Sequence, residues 1–159
     1  MNQYIDKKDL EIISCLRNNA RTPLTTISKT TKVPISTIHD KLKLQKIHAL
    51  KKNVALIDFN KIGFNCITKI FVKTEKETKL KLRQHLLNHT NVNSLFQVNN
   101  GFDYFCEGIF KNLREVEEFI DELDNKFTIK DKQVYYVLEE ISRENFLSNP
   151  DHIYTALRN

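Results

Sequence analysis

The first 55 residues carry their apolar side chains at helical intervals. Leu10, Ile13, Leu16 and Ala20 recur at spacings of three and four and predict a first helix. Asp6, followed three residues on by Asp9, marks its start, because both carboxylates suit exposed first-turn amides. Pro23 suits the opening turn of a second helix that buries Leu24 and Ile27. A third helix is predicted from Pro34, with Ile38 and Leu42 facing inward. Leu44 and Ile47 fall on its opposite face, so it is expected to stop or turn between Leu42 and Leu44. Three short helices with short links in about 50 residues make the pattern of a helix-turn-helix unit.

Val54 to Phe59 reads as a strand and Asn60-Lys61-Ile62-Gly63 as a turn, and beyond them the pattern changes. Ile67–Lys73 is strand-like, and Glu75–Asn88 is helical with Leu80, Leu86 and Leu87 as its apolar positions. Val92–Val98 alternates with period two, Asn99-Asn100-Gly101 marks a hairpin turn, and Phe102–Phe110 alternates again. Leu113, Val116, Ile120, Leu123 and Phe127 form the cleanest helical stripe, and Val134–Leu138 is a last strand. The order β-α-β-β-α-β is that of the split, ferredoxin-like unit, whose two helices cover one face of the sheet. The fold class is therefore α+β, a (winged) helix-turn-helix followed by a ferredoxin-like sandwich. Boundaries are expected at 1–55 for the helical domain, 56–64 for a connecting strand or hinge and 65–140 for the second domain. Residues 141–159 form a C-terminal extension with a short helix around Ile153–Leu157. The uncovered sheet face also carries apolar side chains, and such a face commonly pairs with a second chain.

Charge adds a partner to this picture. The chain is +5 overall, yet residues 1–55 hold eleven Lys and Arg against four Asp and Glu, a net +7. Positive charge concentrated on the helical third is what contact with a polyanion requires. On the expected recognition helix the outward residues are Ser36, Thr37, His39, Lys41 and Lys43, whose hydroxyls and cations suit base edges and phosphates. Asp40 shares that face, where phosphates would repel it. Arg21 and Thr22 stand at the entry to the second helix as phosphate anchors, and Lys51 and Lys52 lie on a wing-like segment before the strand.

Other function classes find little support. No run of about 18 apolar residues is present, so no membrane span is expected, and the N-terminus lacks the layout of a signal peptide. Cys15, Cys66 and Cys106 are odd in number and far apart, which suits a reducing, cytoplasmic setting and buried thiols. Three glycines leave no room for a phosphate-binding loop, and no nucleophile elbow is present. His85 and His89 have four-residue metal spacing, but the sequence shows no third ligand nearby, so they read as a solvated helix end. No catalytic residue, metal or cofactor is expected.

The order of these residues resembles the Lrp/AsnC family of prokaryotic transcription regulators. Ile5-Asp6-Lys7-Lys8-Asp9, Ile12-Ile13, Leu16 and Asn19-Ala20-Arg21 are similar to the family's opening run. Ile27-Ser28, Val33 and Ser36-Thr37-Ile38-His39-Asp40-Lys41-Leu42 are similar to its helix-turn-helix, and Val54–Asp58 with Ile62-Gly63 to its connecting strand and turn. The resemblance spans about residues 5–140 and implies an amino-acid-sensing module in the second domain. It places ligand contacts on Asn100-Gly101-Phe102-Asp103, with Asp103 toward an ammonium group and the turn amides toward a carboxylate. The bare residues equally allow Asp103 to cap its own hairpin.

Three family glycines are replaced. Lys32 stands in the helix-turn-helix turn, His48 or its neighbour follows the recognition helix, and Asn100 stands in the sensing turn. The fold is expected to survive, because Asn tolerates positive φ well and Lys pays only about 1 kcal/mol for it. The resemblance thus implies a sequence-specific regulator that binds double-stranded DNA as a homodimer or higher homo-oligomer, with an amino acid as candidate effector. The alternatives are a broadly binding architectural DNA protein and an enzyme like the siroheme decarboxylases that resemble this family.

Overall fold

The computed structural model describes residues 6–48, 50–52, 54–149 and 153, with the backbone alone at 44–48. Two compact units result: residues 1–55 with 141–159, and residues 56–140. The C-terminal extension therefore belongs to the helical unit.

In that unit α1 (Lys7–Asn18), α2 (Leu24–Thr31) and α3 (Ile35–His48) surround Ile12, Ile27, Val33 and Ile38. Asp6 caps α1 as its sequence predicts: its carboxylate accepts from the Asp9 amide at 2.8 Å, and Asp9 accepts from the Asp6 amide at 2.8 Å. The α1 stripe is rotated by one position from the expected one. Ile12 and Ile13 are buried, whereas Ala20 is exposed beyond the helix end. The link between α2 and α3 is three residues long, and Lys32 takes the left-handed conformation there at φ +56°. The Ser28 hydroxyl donates to the Val33 carbonyl at 2.6 Å and fixes that turn. The third helix does not stop at Leu42 but continues to His48. Its inward residues Ile38 and Leu42 seat the first turns.

Arg17 on α1 holds the C-terminal extension. Its guanidinium donates to the Glu144 carboxylate at 2.8 Å, the Glu144 carbonyl at 2.9 Å and the Phe146 carbonyl at 3.0 Å. Ile153 is fully buried, and the rest of the predicted 153–157 helix lies outside the described residues.

The predicted strand over Val54–Phe59 does not form; residues 54–58 are irregular and a single 3-10 turn spans Phe59–Ile62. Val54, Leu56 and Ile57 are exposed there, and among the described residues no strand pairs with them. Lys51 and Lys52, expected on a wing-like segment, stand in irregular chain.

The second unit runs β1 (Cys66–Thr74), α4 (Lys79–Asn88), β2 (Val92–Gln97), β3 (Tyr104–Phe110), α5 (Leu113–Lys126) and β4 (Ile129–Tyr136). Its antiparallel sheet has the order β2-β3-β1-β4, the ferredoxin-like arrangement. The even-numbered β1 residues from Cys66 to Thr74 are buried, and Ile70, Val72, Cys106 and Phe110 pack with Val116, Phe119, Ile120 and Leu123 of α5. On α4 the buried pair is Leu82 and Leu86, not Leu80 and Leu87, which are 74% and 61% exposed. The last strand starts at Ile129, five residues before the expected Val134, its charged first half lying on an edge.

The opposite sheet face is aromatic. Phe96, Phe105, Phe71 and Tyr135 form a band across all four strands, with ring centroids 5.6, 4.7 and 6.1 Å apart in that order. Lys69 and Glu107 pair across β1 and β3 beside it.

Gly108 is required by close packing. A Cβ there would lie 2.4 Å from the buried Phe110 ring and 2.8 Å from the Thr68 hydroxyl. Gly108→Ala should therefore lower the unfolding free energy by about 1–3 kcal/mol, the usual range for overpacking, measured by urea denaturation. An unchanged midpoint would show that the sheet yields freely.

Candidate nucleic-acid interface and sensing turn

The three-residue turn and the buried Ile38 orient α3 so that one side faces its own core and the other faces solvent. Ser36, Asp40 and Lys43 stand opposite Ile38 on the helical wheel, with Thr37 and His39 on the flanks, and all five are exposed. His39 Nδ1 lies 3.4 Å from the Asp40 carboxylate, so these two side chains lie together on the exposed face. Arg21 is exposed at the mouth of the α1–α2 turn, where its amide donates to Asn19 Oδ1 at 2.9 Å. Thr22 is half-buried, and its hydroxyl donates to the Asn19 carbonyl at 2.6 Å, closing that same turn. Lys51 and Lys52 are exposed on the irregular segment after α3.

Lys41 departs from its expected role. Its ammonium turns toward α1 and bonds Asp6 at 2.8 Å and Asp9 at 2.9 Å. It lies on the α3 flank that faces the α1 N-terminus, so it secures the recognition helix instead of presenting charge outward. The hydrogen bond from Lys41, then that from the Asp9 amide, hold the Asp6 carboxyl below its ordinary value. The same contacts, Asp6 first, push the Lys41 ammonium up.

The turn after β2 keeps the backbone that its sequence demands. Asn100 and Gly101 have φ of +61° and +101°, and space around Gly101 is open. Phe102 packs on Phe71 with centroids 5.6 Å apart. Asp103 neither caps the hairpin with its carboxylate nor leaves it free. One oxygen accepts from Lys79 Nζ at 2.6 Å and the other from the Thr74 amide at 3.0 Å, tying β3 to the end of β1 and the start of α4. Burial opposes the charged form of Asp103, yet Lys79 and the Thr74 amide outweigh it and lower its pKa. Sequence reasoning missed Lys79, which is 24 residues from Asp103 and carries no motif to flag it. His85 and His89 also gain an unforeseen neighbour, Glu122 of α5.

A three-helix unit with an exposed polar helix face, joined to a ferredoxin-like module, defines the architecture of a helix-turn-helix regulator with an appended sensor-type domain. Residues 65–146 match the family described as the Lrp/AsnC ligand binding domain. The chain belongs to the Lrp/AsnC family of transcription regulators. Among curated relatives, the HTH-type transcriptional regulator FL11 of Pyrococcus horikoshii is 29% identical over 122 residues, 76% of this chain and 81% of the relative. FL11 of Pyrococcus furiosus is 26% identical over the same shares. Among solved structures, E. coli AsnC superposes with a TM-score of 0.76 at 17% identity, covering 87% of this chain and 95% of its own. A Neisseria meningitidis transcriptional regulator solved as an L-Met complex gives 0.79 at 20% identity, covering 87% and 93%.

The Lys41 contacts set a pH window. Asp6, with a lowered pKa, stabilises the fold above its ordinary 3.8, and that contribution fades as pH falls through the folded value. Lys41, with a raised pKa, contributes fully below 10.5 and loses its share as pH climbs through the folded value. Lys41→Met should cost about 1–2 kcal/mol at pH 7 and flatten the loss of stability below pH 4, read by urea unfolding at several pH values. An acid profile identical to wild type would contradict this role.

Proposed function

We propose that the protein is a cytoplasmic, non-enzymatic regulator that binds duplex DNA as a homodimer or higher homo-oligomer. The observation that carries the reading is the exposed α3 face of Ser36, Thr37, His39 and Lys43 in a unit of net +7. The N-terminal turns of α3 enter the major groove, where Ser36, Thr37 and His39 meet base edges. Lys43, Arg21, Lys51 and Lys52 hold phosphates, while Thr22 and Lys41 support the turn and the helix. No helix among the described residues is long and apolar enough to cross a membrane.

The aromatic band on the open sheet face supports pairing of two chains through residues 65–140. Phe96 and Tyr135 are each 53% exposed, and a second copy of the sheet would cover them. Two such chains present two recognition helices to half-sites about 34 Å apart, one turn of DNA. The family's ligand-binding domain and the L-Met complex of the Neisseria relative support an amino-acid effector at Asn100–Asp103. There the Lys79–Asp103 pair and the turn amides offer both charges that a zwitterion needs. The effector then shifts affinity by favouring one assembly of dimers.

The concentrated +7 charge also suits an architectural role, in which affinity for a promoter fragment and for random DNA would be nearly equal. Mobility-shift titration against the fragment upstream of the protein's own gene tests both readings. Specific binding should exceed random binding at least about 1,000-fold. Lys43→Ala should weaken both and reduce the slope of log affinity against log salt by about 0.9. No duplex binding at low salt would end the regulator reading, and tetrapyrrole absorbance on adding siroheme would favour the enzyme.

For assembly, Phe96→Glu should convert dimers to monomers in sedimentation velocity at micromolar concentration while the fold is kept. A dimer that persists unchanged would place the interface elsewhere.

A further inference from the structure

We propose that His85, His89 and Glu122 form a binding site for a divalent transition-metal ion of the zinc class. His85 lies on α4 and His89 one helical turn later at its C-cap, so both rings project to the same side. Glu122 reaches them from α5. Its oxygens lie 3.3 Å from His85 Nε2 and 3.5 Å from His89 Nε2, and the three ligand atoms all fall within 4.8 Å of one another. Ligands 2.0–2.1 Å from a tetrahedral zinc stand roughly 3.3 Å apart, so small ring rotations bring all three into one shell. Among the described residues no other group of three such ligands stands together.

The surroundings favour a metal over a plain hydrogen-bonded cluster. His85 Nε2 is buried and has no hydrogen-bond partner, since Glu122 is near it but not aligned with it. Burial lowers the His85 pKa. Lys126, first through its hydrogen bond, holds Glu122 as a carboxylate. Phe127 packs on the His85 ring at 5.3 Å and Phe119 on the His89 ring at 4.7 Å, which limits their rotation. Both rings also border a groove lined by Lys81, Gln84, Asn88 and Thr90.

Two groups compete with the ion. Lys126 Nζ stands 2.6 Å from Glu122 and must swing away, which its 54% exposure permits. The Asn91 amide donates to His89 Nδ1 at 3.2 Å, so the neutral ring carries its proton on Nε2. Metal binding at Nε2 requires the tautomer with the proton on Nδ1, which gives up the Asn91 bond.

The test is a titration of metal-free, tag-free full-length protein with zinc by calorimetry and with cobalt by visible absorption. One equivalent is expected to bind, with the d–d spectrum of a four-coordinate site and a rise in Tm. His85→Gln, His89→Gln and Glu122→Gln should each weaken binding at least about tenfold, and Lys126→Met should tighten it. Because the histidine variants also lose packing, the imidazole nitrogen resonances of both rings are followed in wild-type protein, where zinc should shift them together. No saturable binding, unshifted ring resonances, or full affinity in Glu122→Gln would overturn the proposal.

Discussion

The second unit depends on the two-sided alternation of β1, which pairs with β3 on one edge and β4 on the other. Cys66, Thr68, Ile70, Val72 and Thr74 point to the helices, while Ile67, Lys69, Phe71 and Lys73 point away. A shift of one residue in its pairing with β3 or β4 would exchange those sets and bury Lys69 and Lys73 under α5. That penalty fixes the register of all four strands at once. It also fixes the aromatic band, because Phe71 sits opposite Phe105 only in this register. The proposed dimer face and the helix-covered core are thus two outcomes of one pattern.

The helical unit rests on a different balance. Its core is small, so polar contacts hold what packing alone leaves loose: the Asp6–Asp9 capping box, Lys41 across to it, and Ser28 in the turn. These set the tilt of α3 and hence which residues reach solvent. Lys41 illustrates why a cation on an exposed-looking helix need not be offered to solvent. A lysine two residues from Lys43 serves the fold because its partners lie on α1 and at its cap.

Much of this was legible in the chain. The Asp6 cap, the Asn100–Gly101 turn, β1, β3 and the α5 stripe of Val116, Ile120 and Leu123 follow from local rules and appear where those rules put them. Leu113, at the head of that stripe, is exposed. Leu86 was expected and is buried, but its partner Leu82 was hidden because Leu80 and Leu87 also have helical spacing, and only the start of α4 decides between them. The first half of β4 was masked by charges suited to an edge. Val54–Ile57 has strand composition, but composition supplies no pairing partner. At the candidate sites the sequence named local residues but not the partners that hold them. Lys79 for Asp103, Glu122 for the two histidines and Asp6 for Lys41 come from distant chain positions, and nothing in one sequence joins them.

The Arg17 clamp bears on how the protein is made. Its partners follow it by 127 and 129 residues, with the whole sheet unit in between. At about 5–20 residues per second, synthesis leaves α1 waiting roughly 6–25 seconds for the segment it grips. The unit that emerges first from the ribosome is therefore the last to be completed. During that interval the helical unit must rely on its small core and its own polar contacts, without the C-terminal segment.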